Sequence, residues 1–188
     1  MGYLKEYIES IVDLSDVDWQ CISSFFVRRE YKKGECLITS GQTEKFLSFI
    51  EEGTVRYYFP ADDKERTFDF SFDKQFTCAY DSFLTQQPCN YIQEALSKTV
   101  VWSVSYDDLQ TIYDRTKSGK LWGHHLLEDW FLQKSKREIR LLKQSAKERY
   151  LDIIYDQPYM IQKVPLKYIA SYIGITPQAL SRIRKSVY

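Results

Sequence analysis

The run Thr67–Asp73, TFDFSFD, sets the tightest limit on what this chain can fold into. Phe68, Phe70 and Phe72 alternate with polar residues, and a period of two puts all three rings on one side of an extended strand. Val55, Tyr57 and Phe59 alternate in the same way before Pro60 and the turn-like ADDK. Shorter runs in REYKKGECLITSGQ, KFLSFIEEGTVRYYFP and NYIQEALSKTVVWSVS are broken by Lys33-Gly34, Gly41 and Glu52-Gly53. Short strands at such close intervals predict a small antiparallel sandwich or barrel over residues 27–105. The 15 Tyr, 11 Phe and 4 Trp supply side chains that favour strands.

Helical patterns flank this region. Leu4, Ile8, Ile11 and Val12 fall at helical spacing, and Ser15 is a plausible N-cap for a second piece, Asp16 to Phe26. After the strands, YDDLQTIYDRT reads as a short helix ending near Ser118-Gly119. Lys120 to Gln144 has no Pro, and no Gly after Gly123. Leu121, His125, Leu132, Ile139 and Leu142 lie near one face of that stretch. It is too long to belong to the barrel and has apolar surface to bury. Pairing with its copy in a second subunit is one solution; packing on its own barrel is the other. A further helix, Ala146 to Tyr155, precedes Gln157-Pro158. The fold class is therefore α+β.

A formal net charge of zero conceals an asymmetry. Residues 1–132 carry 14 Lys and Arg against 22 Asp and Glu; residues 133–188 carry 12 against 4. Beyond Asp156 there is no acidic side chain. An acidic body with a basic end predicts that the C-terminal part alone meets a polyanion.

PLKYIASYIGITPQALSRIRK, Pro165 to Lys185, gives that end a shape. Pro165 suits the first turn of a helix, and Leu166, Ile169, Ala170 and Ile173 form an apolar stripe. Gly174 accepts the positive φ of a sharp turn, which Ile175 plugs. Thr176 caps a second helix with Pro177 at its first position. Leu180 and Ile183 face back, and the small Ala170 permits a close crossing. This is the pattern of a helix-turn-helix. Gln178, Ser181, Arg182 and Lys185 stay outside, and Gln and Arg read adenine and guanine edges in the major groove. Lys163, Lys167, Arg184 and Lys185 suit phosphate contacts. The expected DNA-binding set is Gln178, Ser181, Arg182, Lys185, Lys167 and Thr176.

A small β-barrel, a long helix and a helix-turn-helix, in that order, resemble the Crp/Fnr family of bacterial transcription regulators over nearly the whole chain. The resemblance is carried by Gly34, Gly41 and Gly53, by QFTCAYDSFLTQQPCNYIQEAL and by IASYIGITPQALSRIR; the block from KERYLDIIYDQP onward looks like the branch common in Bacteroidetes. It implies an antiparallel, cyclic-nucleotide-binding-like β-roll sensor over residues 1–118, a dimerisation helix over 119–145 and a helix-turn-helix domain over 146–188. It implies a homodimer on a palindromic site in double-stranded DNA, with RNA polymerase and an unassigned small-molecule effector as further partners. The effector cassette departs from the family pattern. Aligned on Phe76 and Pro88, the family's Gly-Glu falls on Cys78 and Ala79, and the arginine that pairs the cyclic phosphate falls on Cys89. The degenerate pocket, Cys78, Ala79, Tyr80, Pro88, Cys89 and Asn90, is therefore not expected to take cyclic AMP. Pro177 stands where many members place an arginine, and there is no room for a β-hairpin wing after the second helix.

Other classes are disfavoured. Cys21, Cys36, Cys78 and Cys89 form no CxxC and read as free thiols, with a redox role for Cys78 and Cys89 the alternative. Residues 27–105 contain no histidine, which nearly removes a cupin-like metalloenzyme. His124 and His125, the only histidines, are adjacent and so face different directions on a helix. No Walker loop, dinucleotide fingerprint or nucleophile–base pair is present. The chain is expected to be no enzyme, to need no metal or cofactor, and, lacking a signal sequence or an apolar span, to be cytoplasmic with no membrane partner. A roll that binds a protein or small ligand beside a relict helix-turn-helix stays open as the alternative.

Overall fold

A computed structural model describes residues 1–61 and 65–187; the ADDK turn lies largely outside the described residues. The chain divides into two compact units, Met1–Tyr57 with Phe70–Trp130, and Tyr58–Asp69 with Phe131–Tyr188.

The first unit begins with α1 (Gly2–Glu9) and α2 (Asp16–Ser24). The Ser15 hydroxyl accepts the Asp18 N–H at 3.1 Å, the N-cap expected from sequence. The first helix ends at Glu9, so Ile11 and Val12 lie beyond it and pack on the core from a turn. Strands follow as β1 (Val27–Tyr31), β2 (Cys36–Ile38), β3 (Phe46–Glu52), β4 (Thr54–Phe59), β5 (Arg66–Phe72) and β6 (Phe76–Thr77). The short helix α3 (Tyr80–Thr85) intervenes before β7 (Ile92–Ala95) and β8 (Thr99–Ser105). They form two four-stranded sheets, β1-β8-β3-β6 and β2-β7-β4-β5. In the first sheet Phe49 lies opposite Trp102, and a register shift between Ile50 and Glu52 opens the turn at Gly53. Gly53 has φ +123°, and a Cβ there would lie 2.7 Å from the Thr99 Cα.

The alternation in β5 holds for Phe70 and Phe72, which are buried, while Phe68 is half-buried. What the alternation hides is that β4 is covered on both faces. Thr54, Val55, Arg56 and Tyr57 are all buried, Arg56 to 1% exposure with its guanidinium 3.6 Å from Glu94. One core joins helices and strands through Leu4, Ile22, Phe49, Phe76, Leu109 and Trp122. Phe76 is the hub, with ring centroids 5.2 Å from both Phe49 and Trp122.

After β8, α4 (Tyr106–Arg115) is capped by Ser105, whose hydroxyl accepts the Asp108 N–H at 3.1 Å. The long helix α5 (Lys117–Lys143) starts at once. Ser118-Gly119 therefore sits in the first turn of α5 rather than marking a helix end. The Ser118 hydroxyl and N–H both donate to Asp18, and a Cβ on Gly119 would lie 2.5 Å from Ile112 Cγ2. The start of α5 packs on the first unit through Trp122 and Leu126, at 0% and 3% exposure. The face expected from sequence stays open, with Leu121 44%, Leu132 53%, Ile139 49% and Leu142 80% exposed. Phe131, at 72%, widens it. His124 and His125 both reach one carboxylate despite being adjacent. His124 Nε2 and His125 Nδ1 each lie 3.2 Å from an oxygen of Glu128, one turn on.

The second unit holds α6 (Ala146–Asp156), α7 (Pro158–Lys163), α8 (Leu166–Tyr172) and α9 (Pro177–Lys185). Ser145 and Glu148 make a reciprocal capping box at the start of α6. Helix α7 has no counterpart among the elements expected from sequence. Its six residues are too few to show a period, and Pro158 at its first position reads equally as a loop. No helix among the described residues is long and apolar enough to cross a membrane.

Candidate nucleic-acid interface and effector cassette

The turn between α8 and α9 is built by the backbone. Helix α8 closes with Ile173 as its C-cap and Gly174 at φ +80°. The Ile175 N–H donates to Ala170 O at 2.9 Å and the Gly174 N–H to Ser171 O at 3.0 Å. This pair of bonds is a Schellman motif, and it satisfies carbonyls that the helix end would leave open. Thr176 then caps α9 by accepting the Ala179 N–H at 3.2 Å, so its hydroxyl serves the helix itself. Ile169, Ala170, Ile173 and Leu180 are buried at 0–2% exposure, as the apolar stripe requires. Two details differ. Pro165 is the N-cap of α8, with ψ 135°, rather than a first-turn residue. Leu166 is 37% exposed and lies at the edge of the stripe.

A side chain outside the motif holds this geometry. Arg149 of α6 donates to Ile173 O through Nε at 3.1 Å and through a terminal nitrogen at 2.8 Å, and its other nitrogen donates to Gln144 O. One guanidinium thus ties the end of α5 to the end of α8. Nothing in the local sequence singles Arg149 out, because both partners are backbone atoms. The guanidinium of Arg137 stacks over the Tyr172 ring at 4.8 Å, and burial pushes the Tyr172 phenol up to about 12. The Ser171 hydroxyl accepts the Thr67 N–H at 2.9 Å and donates to Glu65 O at 3.2 Å, within the same unit.

The outward stripe of α9 is Gln178, Ser181, Arg182 and Lys185, all exposed. Lys167 is exposed on α8, its Nζ 4.6 Å from the centroid of the Tyr168 ring. No acidic side chain lies on α8 or α9 to neutralise this face.

In the roll the expected cassette divides by burial. Cys78, Ala79 and Cys89 are at 6%, 0% and 4% exposure, Tyr80 is half-buried, and Pro88 and Asn90 are exposed. Both buried cysteines are free. Burial pushes the Cys78 thiol well up, with nearby Glu44 and Asp81 adding to the rise. Burial likewise raises Cys89, whose Sγ lies 3.5 and 3.3 Å from Thr39 O and Tyr91 O, which share its one S–H donor. Neither group has the thiolate character of a redox cysteine. The interior beside them is a connected polar network. The Tyr57 hydroxyl lies 3.0 Å from Ser71 Oγ and 2.7 Å from Thr77 Oγ1, and accepts the Cys78 N–H at 3.3 Å. Burial and the Asp81 carboxylate beside it push the Tyr91 phenol far up. Glu44 joins the cassette without any sequence signal, as a carboxylate at 7% exposure beside Cys78 and Ala79. Its polar letter in a turn gives no sign of burial. Among the described residues no three His, Cys, Asp or Glu side chains gather as a metal site would require.

Residues 28–116 match the family model described as the cyclic nucleotide-binding domain. The roll is thus a domain of that class. The chain superposes on the c-di-GMP responsive global regulator CLP of Xanthomonas campestris with a TM-score of 0.71 at 16% identity, covering 92% of this chain and 91% of that one. FixK2 of Bradyrhizobium japonicum gives 0.72 at 16% identity over 86% and 84%. A putative Crp/Fnr-family transcriptional regulator of Eubacterium rectale gives 0.69 at 17% identity over 93% and 83%. No curated protein sequence matches the chain. From the roll to the helix-turn-helix, the chain shares the fold of these regulators.

Proposed function

We propose that this chain is a dimeric, DNA-binding transcriptional regulator of the Crp/Fnr type whose effector pocket takes no cyclic AMP. Residues 1–118 form the sensor, 119–145 the dimerisation helix and 146–188 the DNA-binding domain. The observation that carries the reading is the exposed, acid-free stripe of Gln178, Ser181, Arg182 and Lys185 on a helix set by a Schellman turn. The open apolar face of α5, with Leu142 at 80% exposure, supports pairing with a second copy. Such a dimer presents two recognition helices about 34 Å apart to a palindromic site. Ala79 and Cys89 offer a cyclic nucleotide neither a ribose partner nor a phosphate partner. That the similar CLP is c-di-GMP responsive supports a fold that leaves the effector's identity open.

The test separates base readout from phosphate contact. Arg182→Ala costs on the order of 1–3 kcal/mol per half-site on a mapped operator and relaxes preference at one base pair. Lys167→Ala weakens all duplexes alike and lowers the salt slope by about one for each phosphate it ceases to neutralise. A salt titration on the mapped site and on a scrambled duplex decides. If neither substitution changes binding to any DNA, the helix-turn-helix is a structural hairpin and the roll an interaction module. Cyclic AMP leaves the thermal midpoint unchanged; a saturable rise refutes the pocket reading.

A further inference from the structure

Among the described residues, Glu44 is the one carboxylate the roll encloses beside its cassette. It precedes β3, and its Oε1 accepts the backbone N–H groups of Lys45 and Phe46, both at 3.0 Å. Its Oε2 accepts the Ala79 N–H at 3.3 Å, from the residue before α3. Its own N–H donates to Ser82 Oγ at 2.9 Å, and that hydroxyl donates to Gln87 O. Both carboxylate oxygens act as acceptors, which is the pattern of an ionised acid. Three backbone donors from two separate stretches of chain therefore meet at one buried oxyanion position. A side chain that merely filled space there would need none of them, and a buried anion without them would be costly.

We propose that the roll contains a built oxyanion site, formed by the N–H groups of Lys45, Phe46 and Ala79, which the protein fills permanently with its own Glu44 carboxylate. The site is closed to an external anion because it already holds an internal one. An effector of this roll is then neutral or cationic where it approaches Ala79. This deepens the reading of Cys78, Ala79 and Cys89 as a cassette that takes no cyclic nucleotide, and rests on it. The carboxylate reaches the cassette from the stretch before β3, so the Ala79 N–H is not orphaned.

The experiment is chemical rescue. Glu44→Ala removes the carboxylate and leaves the three donors facing a space of carboxylate size. The variant melts below the wild type. Sodium formate then raises its midpoint saturably, by about 3–6 °C at ten times its Kd. Sodium chloride at the same ionic strength does not, and formate leaves the wild type unmoved. A variant that melts with the wild type, a variant that formate does not rescue, or a wild type that responds equally overturns the proposal.

Glu44→Gln gives an independent reading should the alanine variant not fold. Burial holds the Glu44 carboxyl above the usual carboxylate range, against the three N–H donors and the nearby Arg29. Arg29 and Tyr31 approach from β1, and Cys78 and Cys89 flank it. A raised folded value means that the folded state holds the proton longer. Wild-type stability is then greatest below the unfolded value and falls as pH rises through the folded one. Glu44→Gln removes that part of the slope, since the lowered carboxyls of Glu30, Glu51 and Glu148 titrate in both proteins, and a variant whose stability follows pH as the wild type's does also overturns the proposal. The cyclic AMP titration of the wild type stays separate. A rise there sinks the cassette reading, while the formate comparison alone decides the Glu44 site.

Discussion

Arg149→Met tests whether the α8–α9 turn is held from outside the motif. The guanidinium serves two backbone carbonyls, Ile173 O through two nitrogens and Gln144 O through the third. A hydrogen bond from a charged donor contributes about 1.5–3 kcal/mol. Arg149 is only half-buried, so water recovers part of the loss at each carbonyl. Methionine keeps the aliphatic stem. The expected cost is about 2–4 kcal/mol, concentrated at the ends of α5 and α8. Because the chain has two units, global unfolding alone is a blunt readout. Amide exchange is sharper, since the Gly174 and Ile175 N–H groups donate within the turn itself. Their protection falls roughly 30- to 700-fold at 1.4 kcal/mol per decade. Arg149→Lys keeps the charge but not the fork, and recovers less than half of the loss. Protection within threefold of wild type in Arg149→Met refutes the argument. On the proposed function, affinity for DNA falls in parallel, because α9 starts three residues after Gly174.

Two glycine substitutions separate backbone strain from overlap. At Gly174 a new Cβ has open space, with Arg149 3.9 Å away, so Gly174→Ala pays only for positive φ, about 1–2 kcal/mol. At Gly53 the same strain adds to a collision with the Thr99 backbone, and Gly53→Ala unfolds at distinctly lower urea than Gly174→Ala; the reverse order refutes the packing described for that turn. Leu142→Glu puts a charge on the open face of α5, and sedimentation at micromolar concentration is expected to show a dimer for the wild type and a monomer for the variant. A wild-type monomer with and without DNA removes the basis for palindromic recognition.

How much of this was legible depends on whether a residue's partner has a sequence signal. Period-two aromatics located β4 and β5, because an alternating row of rings has few other uses. Ser15, Gly174 and Thr176 were legible for a similar reason: caps and αL positions accept few residue types, so the letter names the geometry. Arg56, Glu44 and Arg149 were not. Each is a charged letter that usually marks the surface, and each owes its place to atoms far along the chain. Arg56 answers Glu94, Glu44 answers the Ala79 N–H and Arg149 answers Ile173 O. Two of the three answer main-chain atoms, which carry no identity and leave no pattern to read. The helix α7 was missed for the opposite reason, since six residues after a proline fit a loop as well as a helix.

The same contrast separates the two candidate sites. In the cassette the polar groups of Tyr57, Glu44 and Cys89 are inside and already matched. Tyr57 has hydroxyl partners on Ser71 and Thr77, Glu44 has three N–H donors, and Cys89 has two carbonyl acceptors. A ligand that bonds to any of these three must displace a protein–protein bond to do so. On α9 the order is reversed. Among the described residues the side chains of Gln178, Ser181, Arg182 and Lys185 have no hydrogen bond or ion pair. Arg140 on α5, by contrast, is paired with Asp152 and Asp156. Donors left unmatched at the surface cost nothing while water serves them, and they are free for a partner that offers acceptors in a fixed array. A duplex does so twice over, with phosphates along its edge and base edges in its groove. An acidic protein surface offers the charge without the spacing. Gln178 and Ser181 can serve either array, and a Gln178→Ala substitution that changes base preference without changing the salt slope distinguishes groove readout from charge attraction.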